Sequence, residues 1–196
     1  MKAIVIGGGL GGIAAAIRLR AGGWEVTLCE NGPALGGKMN CWRTAGYRFD
    51  TGPSLVTMPW VFADLYRVAG ARMAEHVEMV RVDPSAAYVF PDGTRIQAPD
   101  GIPRWIEKIR DIEPRDVDGF LRFLRLGKKL YQLSSRTFFR RHPLSPPDAG
   151  DLAALRYLPL RYGWGNYART VAAHFRSPYL RQIYNRYPTY VGSSPY

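Results

Sequence analysis

A short apolar strand, Ala3-Ile4-Val5-Ile6, runs directly into Gly7-Gly8-Gly9-Leu10-Gly11-Gly12 and then into a helix of small residues. Gly7 permits a tight turn off the strand, Gly9 lets backbone N–H groups approach a pyrophosphate, and Gly12 lets the helix beginning near Leu10 sit close against the sheet. Gly8 and Gly11 keep the rest of the turn free of side chains, and an anion then rests on the positive end of the helix. Ile13, Ala14, Ala15, Ala16, Ile17 and Leu19 give that helix a closely packing face before Gly22-Gly23 stops it. A second strand, Trp24 to Cys29, follows at once.

That strand ends in Glu30, eighteen residues past Gly12, where an acid accepts the hydroxyls of an adenosine ribose. A carboxylate there repels a 2′-phosphate, and no arginine stands beside it, so NADP is disfavoured relative to FAD or NAD. The glycine string alone is weak; the strand before it, the helix after it and the spaced acid together make a nucleotide site the better reading. The next turn, Gly36-Gly37-Lys38, adds a second side-chain-free backbone and a cation, which suits two phosphates, and the choice between FAD and NAD turns on it.

With Tyr47-Arg48-Phe49-Asp50-Thr51-Gly52-Pro53-Ser54 added, these residues resemble the amino-terminal part of the bacterial phytoene (carotenoid) desaturases, within the wider FAD-dependent amine oxidase-like flavoproteins. The resemblance is specific through Met58 and again over Tyr187 to Tyr196, and is one of texture between them. It implies an FAD-dependent oxidoreductase that desaturates a carotenoid or related isoprenoid by hydride transfer to the flavin. It also implies that Gly36, Gly37 and a basic residue line the flavin end of FAD. Lys38 stands where arginine is usual, which keeps a phosphate contact and loses a bidentate one. Gly52 and Pro53 fall in a flavin-proximal loop. The closing segment is nearer the branch acting on hydroxylated carotenoids, a 3,4-desaturase. A flavin amine oxidase shares the amino-terminal signature, and a truncated nucleotide-binding module without turnover is the alternative outside catalysis.

The fold expected is α/β: a Rossmann-like FAD-binding βαβ segment over residues 1–70, then the start of a strand-and-helix substrate domain over residues 71–196. Val77 to Val82 is the one further candidate for the parallel layer, which leaves a bare sheet edge. Members of the resembled family are more than twice as long, so the chain reads as a fragment, incomplete at the carboxy terminus.

The formal charge of +11 is uneven: residues 1–100 hold ten Lys/Arg against nine Asp/Glu, and residues 101–196 hold seventeen against seven. Within 122–186 thirteen basic residues, interleaved with aromatic ones, face only Asp148 and Asp151. That segment suits an anionic membrane surface, with a merely solvated basic face as the plain alternative. Nucleic acid is disfavoured because no recognised reader module accompanies the charge. No run reaches transmembrane length, so the place expected is cytoplasmic, peripheral on the inner face of the cell membrane.

Hairpins are expected over Asn40 to Phe49 and Ala87 to Ala98, and helices over Trp60 to Ala69 and from Ile102 onward. One of these carries Arg122, Arg125, Lys128 and Lys129 and runs on to Phe138-Phe139-Arg140-Arg141. Pro143 to Pro147 makes a loop, followed by helices over Asp151 to Leu158, Gly165 to Phe175 and Ser177 to Arg186. His76, His142 and His174 have no metal-ligand spacing, no metal is expected, and no residue is named as the catalytic base. Asp50 is read as capping its turn.

Overall fold

A computed structural model describes residues 1–53, 55–136, 139, 146 and 165–196. The chain divides into two compact units, Met1–Val80 and Arg81–Tyr196.

The first unit opens with β1 (Lys2–Ile6), α1 (Leu10–Ala21) and β2 (Glu25–Cys29). β1 and β2 pair in parallel, from Lys2 opposite Glu25 to Ile6 opposite Cys29, which is the βαβ start that the glycine turn demands. Gly22 and Gly23 end α1 as expected, their N–H groups returning to Arg18 and Arg20 carbonyls at 3.0 Å. β3 (Cys41–Thr44) and β4 (Tyr47–Asp50) form an antiparallel hairpin, with Ala45 at φ 46° and Gly46 at φ 81° making the two-residue turn. α2 (Pro59–Val68) starts on a proline, carries Arg67 in its last turn, and is tied to α1 by Asp64, which accepts Arg18 at 2.7 Å.

Val77 to Val82 is not a strand, contrary to expectation. The Val77 N–H closes onto the Met73 carbonyl at 2.9 Å, continuing the 3-10 turn Met73–Glu75. The side chains of Val77 and Met79 instead line an apolar cavity of about 480 Å³ with Leu10, Ile13, Met39 and Phe62. Apolar alternation sufficed for the sequence pattern, but among the described residues no strand pairs with this segment, and an unpaired strand has no ladder to hold it. Among the described residues the parallel layer is β1 and β2, and Ile4 and Ile6 stay 71% and 88% exposed.

The second unit holds the buried core. The hairpin β5 (Ala86–Val89) and β6 (Arg95–Ala98) lies with α3 (Ile102–Ile112), α4 (Asp116–Arg136), α5 (Tyr167–His174) and α6 (Pro178–Asn185). Phe90, Ile96, Ile109, Phe120, Val171, Phe175, Leu180, Ile183 and Tyr184 make one cluster. Asp116, 1% exposed, fixes the corner between α5 and α6, its carboxylate accepting the backbone N–H of Arg176 at 2.7 Å and of Ser177 at 2.9 Å. Ser177 then caps α6, accepting the Leu180 N–H at 3.4 Å. Phe138, Arg140, Arg141 and the helix expected over Asp151 to Leu158 lie outside the described residues, as does the loop Pro143 to Pro147 apart from Pro146.

Candidate functional site

The glycines of the first unit fall into two kinds. Gly7 takes φ 99°, which an L side chain rarely adopts, and its N–H closes onto the Cys29 carbonyl at 2.7 Å. Gly12 is required by contact: a Cβ there would lie 1.8 Å from the Gly7 carbonyl oxygen, so the turn and the first coil of α1 touch backbone to backbone. Gly8 is covered, since a Cβ would meet Leu35 at 2.4 Å and the Glu30 carboxylate at 2.9 Å. Gly9 and Gly11 differ. Gly9 sits at φ −71°, ψ 176°, open to any residue, and a Cβ there would meet nothing nearer than Gly37 Cα at 3.9 Å; at Gly11 it would meet nothing within 4 Å. Among the described residues no contact accounts for their missing side chains.

α1 begins beside them with Gly9 as its cap residue, no side-chain cap and no acid in its first turn. The orphan N–H groups at the start of a helix therefore carry an undiluted positive end. The Gly36-Gly37 turn lies directly against this loop. Gly36 N–H donates to the Gly8 carbonyl at 2.8 Å, Gly9 and Gly36 form a parallel bridge, and a Cβ on Gly37 would stand 3.0 Å from Gly9 Cα. Gly52 joins from the hairpin side, where a Cβ would fall 2.5 Å from the Lys38 carbonyl oxygen. Lys38 itself is exposed, and its ammonium has no hydrogen bond or ion pair among the described residues.

Glu30 closes the cradle from below. One carboxylate oxygen accepts the Gly8 N–H at 2.5 Å and the other the Gly32 N–H at 2.7 Å. These backbone donors, Gly32 first and then Gly8, hold its carboxyl below the usual range. Each oxygen keeps a further lone pair for a hydroxyl donor.

The structure thus brings together Gly7, Gly8, Gly9, Gly12, Glu30, Gly36, Gly37, the Lys38 backbone and Gly52. Gly11 stands at the open rim, and Pro53 is an exposed residue beyond Gly52. Asp50 does not cap a turn; it ends β4, and its carboxylate takes the Arg48 guanidinium at 2.7 Å. Arg48 Nε also donates to Cys41 Sγ at 3.1 Å. Among the described residues no group of three His, Cys, Asp or Glu is placed to hold a metal ion.

Residues 5–69 match the profile of the NAD(P)-binding Rossmann-like domain. The 4,4'-diaponeurosporene oxygenases of Staphylococcus aureus strains bovine RF122 / ET3-1 and USA300 are each 32% identical to the chain over 199 residues, covering 98% of it. Over nearly its whole length the chain is thus similar to these oxygenases, and it spans 39% of their length. A protein of known structure from Pyrococcus furiosus is 29% identical over 50% of this chain and 24% of its own, at a TM-score of 0.38.

Two contributions to the site were missed by reading residues alone. Leu35 covers Gly8, a contact that neither its neighbours nor its spacing announces. The packing of Gly52 on Lys38 was hidden because two turns fourteen residues apart meet only once β3 and β4 have paired. The Gly-Pro pair was its one signal.

Proposed function

We propose that the chain binds FAD and contributes to an oxidoreductase that removes hydrogens from a carotenoid or related isoprenoid. The observation carrying this is the space at Gly9: a helix start with no side-chain cap, faced by a second glycine turn, with a residue whose absent side chain no contact among the described residues requires. In this reading Gly7, Gly8, Gly9, Gly11 and Gly12 receive the diphosphate, and Glu30 the adenosine ribose. Gly36, Gly37, Lys38, Gly52 and Pro53 serve the flavin side. Residues 1–70 form the cofactor segment and residues 71–196 the start of the substrate domain.

When bound, the flavin supplies a hydride acceptor for unactivated carbon. The chain's own residues bind and orient: the α1 N–H groups take negative charge, and Glu30 holds the Gly8 amide in place while keeping lone pairs for hydroxyls. Lys38 offers an exposed cation. Desaturation takes a hydride and a proton from adjacent carbons, and no side chain here is assigned the proton. Within this reading the finer assignment is a 3,4-desaturase of hydroxylated carotenoids. The name of the Staphylococcus aureus relatives favours a second outcome, oxygenation of the isoprenoid.

Gly9→Asp tests the site. At φ −71° the backbone accepts it, so the chain folds, while a carboxylate stands where the diphosphate belongs. FAD affinity is expected to fall at least about a hundredfold, with Gly9→Ala losing less, and unchanged flavin occupancy in Gly9→Asp would refute the assignment.

An anionic membrane surface is the proposed partner of α4. Arg122, Arg125, Lys128 and Lys129 are exposed on it and form no ion pair among the described residues, while Phe120 and Phe123 on the same helix face the core. No helix of the described residues is long and apolar enough to cross a membrane. Flotation with anionic vesicles at low salt should retain the chain; equal recovery with neutral vesicles would sink the idea.

A further inference from the structure

The second unit carries a hollow of about 330 Å³ with four aromatic residues in its walls, three of them tyrosines, beside aliphatic residues, a serine and an aspartate. Tyr88 from β5, Trp105 from α3, Tyr184 from α6 and Tyr187 from the 3-10 turn Tyr187–Val191 line it, with Ser85 and Asp100 among its other lining residues. The rings form a continuous stack from the core outward. Tyr184 lies flat on Phe175 at 4.4 Å and 10°, and Tyr187 stacks on Tyr184 at 5.9 Å and 27°. Trp105 Nε1–H donates to the Tyr184 hydroxyl at 2.9 Å, so that hydroxyl keeps its own hydrogen for another acceptor. Burial pushes the Tyr184 phenol far up; burial also raises Tyr187, as does the neighbouring Tyr88. Tyr184 and Tyr187 are therefore neutral donors across the physiological range.

We propose that this hollow binds the oxygen-bearing end of a flat conjugated chain, the rings of Tyr88, Trp105, Tyr184 and Tyr187 taking the chain and the phenols donating to its hydroxyl or carbonyl oxygen. The isoprenoid class of the chain rests on the function proposed above; the preference for an oxygenated, planar end rests on the hollow alone. At about 30 Å³ per water the space holds about eleven water-sized groups, enough for two isoprene units and a terminal oxygen but not a whole carotenoid. Aromatic walls beside a carboxylate also suit a cation, but both positions are taken. Asp100 accepts Arg81 at 2.8 Å, and the Arg186 guanidinium lies over the Tyr88 ring at 5.5 Å. No ammonium or guanidinium is among the lining residues to draw an anion.

The test is a titration of the 196-residue chain with all-trans-retinol, read by retinol emission, with citral and myrcene as competitors of equal carbon number with and without a carbonyl. Retinol should bind, and citral should displace it at least tenfold better than myrcene. Tyr187→Ala, at a residue 49% exposed and outside the core cluster, should weaken retinol at least tenfold with an unchanged melting curve. Tyr187→Phe should keep retinol within about threefold while narrowing the citral preference. Tyr190→Ala, which removes a ring bonded to Arg186 and absent from the hollow's lining, should change neither. No retinol binding by a normally melting chain, displacement by tetramethylammonium, or an unmoved Tyr187→Ala would each overturn the proposal. FAD occupancy measured on the same sample separates the readings: flavin bound without retinol defeats the hollow, and retinol bound without flavin defeats the cofactor assignment.

Discussion

Gly12→Ala and Gly11→Ala are the same chemical change at adjacent positions in the first turn of α1, and the structure gives them opposite signs. At position 12 the new methyl would stand 1.8 Å from the Gly7 carbonyl oxygen, so reaching ordinary contact near 3.4 Å needs a displacement of about 1.6 Å. The obstacle is backbone, already fixed by the Gly7 N–H bond to Cys29, so no flexible side chain can yield. Overpacking of this kind costs about 1–3 kcal/mol. The gain from replacing glycine inside a helix offsets only about 0.5–1 kcal/mol of it. At position 11 nothing lies within 4 Å and only the gain remains. Both variants lose the same unfolded-state freedom, so the difference between them isolates the clash. For a unit of this size about 1 kcal/mol moves Tm by about 4–8 °C. Scanning calorimetry of the cofactor-free chain should therefore show Gly11→Ala melting about 2–8 °C above the parent and Gly12→Ala melting below it. If Gly12→Ala melts at or above Gly11→Ala, the backbone-to-backbone contact is not there.

Gly119→Ala repeats the experiment in the second unit, where a Cβ would fall 1.8 Å from the His174 carbonyl oxygen at the α4–α5 contact. It should lower the transition that reports Tyr184 burial and spare FAD binding, and loss of flavin with an intact aromatic signal would contradict the division into two units. Asp116→Ala should destabilise the same unit by about 2–4 kcal/mol, because the part-buried N–H of Arg176 and the buried N–H of Ser177 lose their acceptor; a denaturation midpoint within error of the parent would count against that corner. Acid should weaken the chain through Glu113, held at about 2 by the Arg115 side chain and then its backbone N–H. A depressed carboxyl stabilises fully above its unfolded value and loses this as pH falls from about 4.5 toward 2, so Glu113→Gln should flatten Tm against pH there, and an unaltered slope would remove Glu113 as the cause.

What could be read from residues alone was the part whose geometry is local. Gly7, Gly12 and Glu30 follow from one strand, one turn and one helix at fixed spacing, and β1, α1 and β2 formed within a residue or so of where the pattern put them. Ser177-Pro178 announced α6 for the same reason, since a cap and a first-turn proline act within four residues. The misread segment, Val77 to Val82, shows the limit. Its alternation describes a half-buried surface, and a half-buried surface arises as readily where Val77 and Met79 face a cavity as where they sit in a sheet. Strand identity depends on a hydrogen-bonding partner, which is non-local information that six residues do not contain. The aromatic hollow was illegible on the same ground, because Tyr88, Trp105 and Tyr184 come from three elements spread over 97 positions of sequence. Only the three-residue spacing of Tyr184, Tyr187 and Tyr190 hinted at it, and that hint acquires meaning when α6 passes into a 3-10 turn with three residues per turn, which keeps the rings on one side.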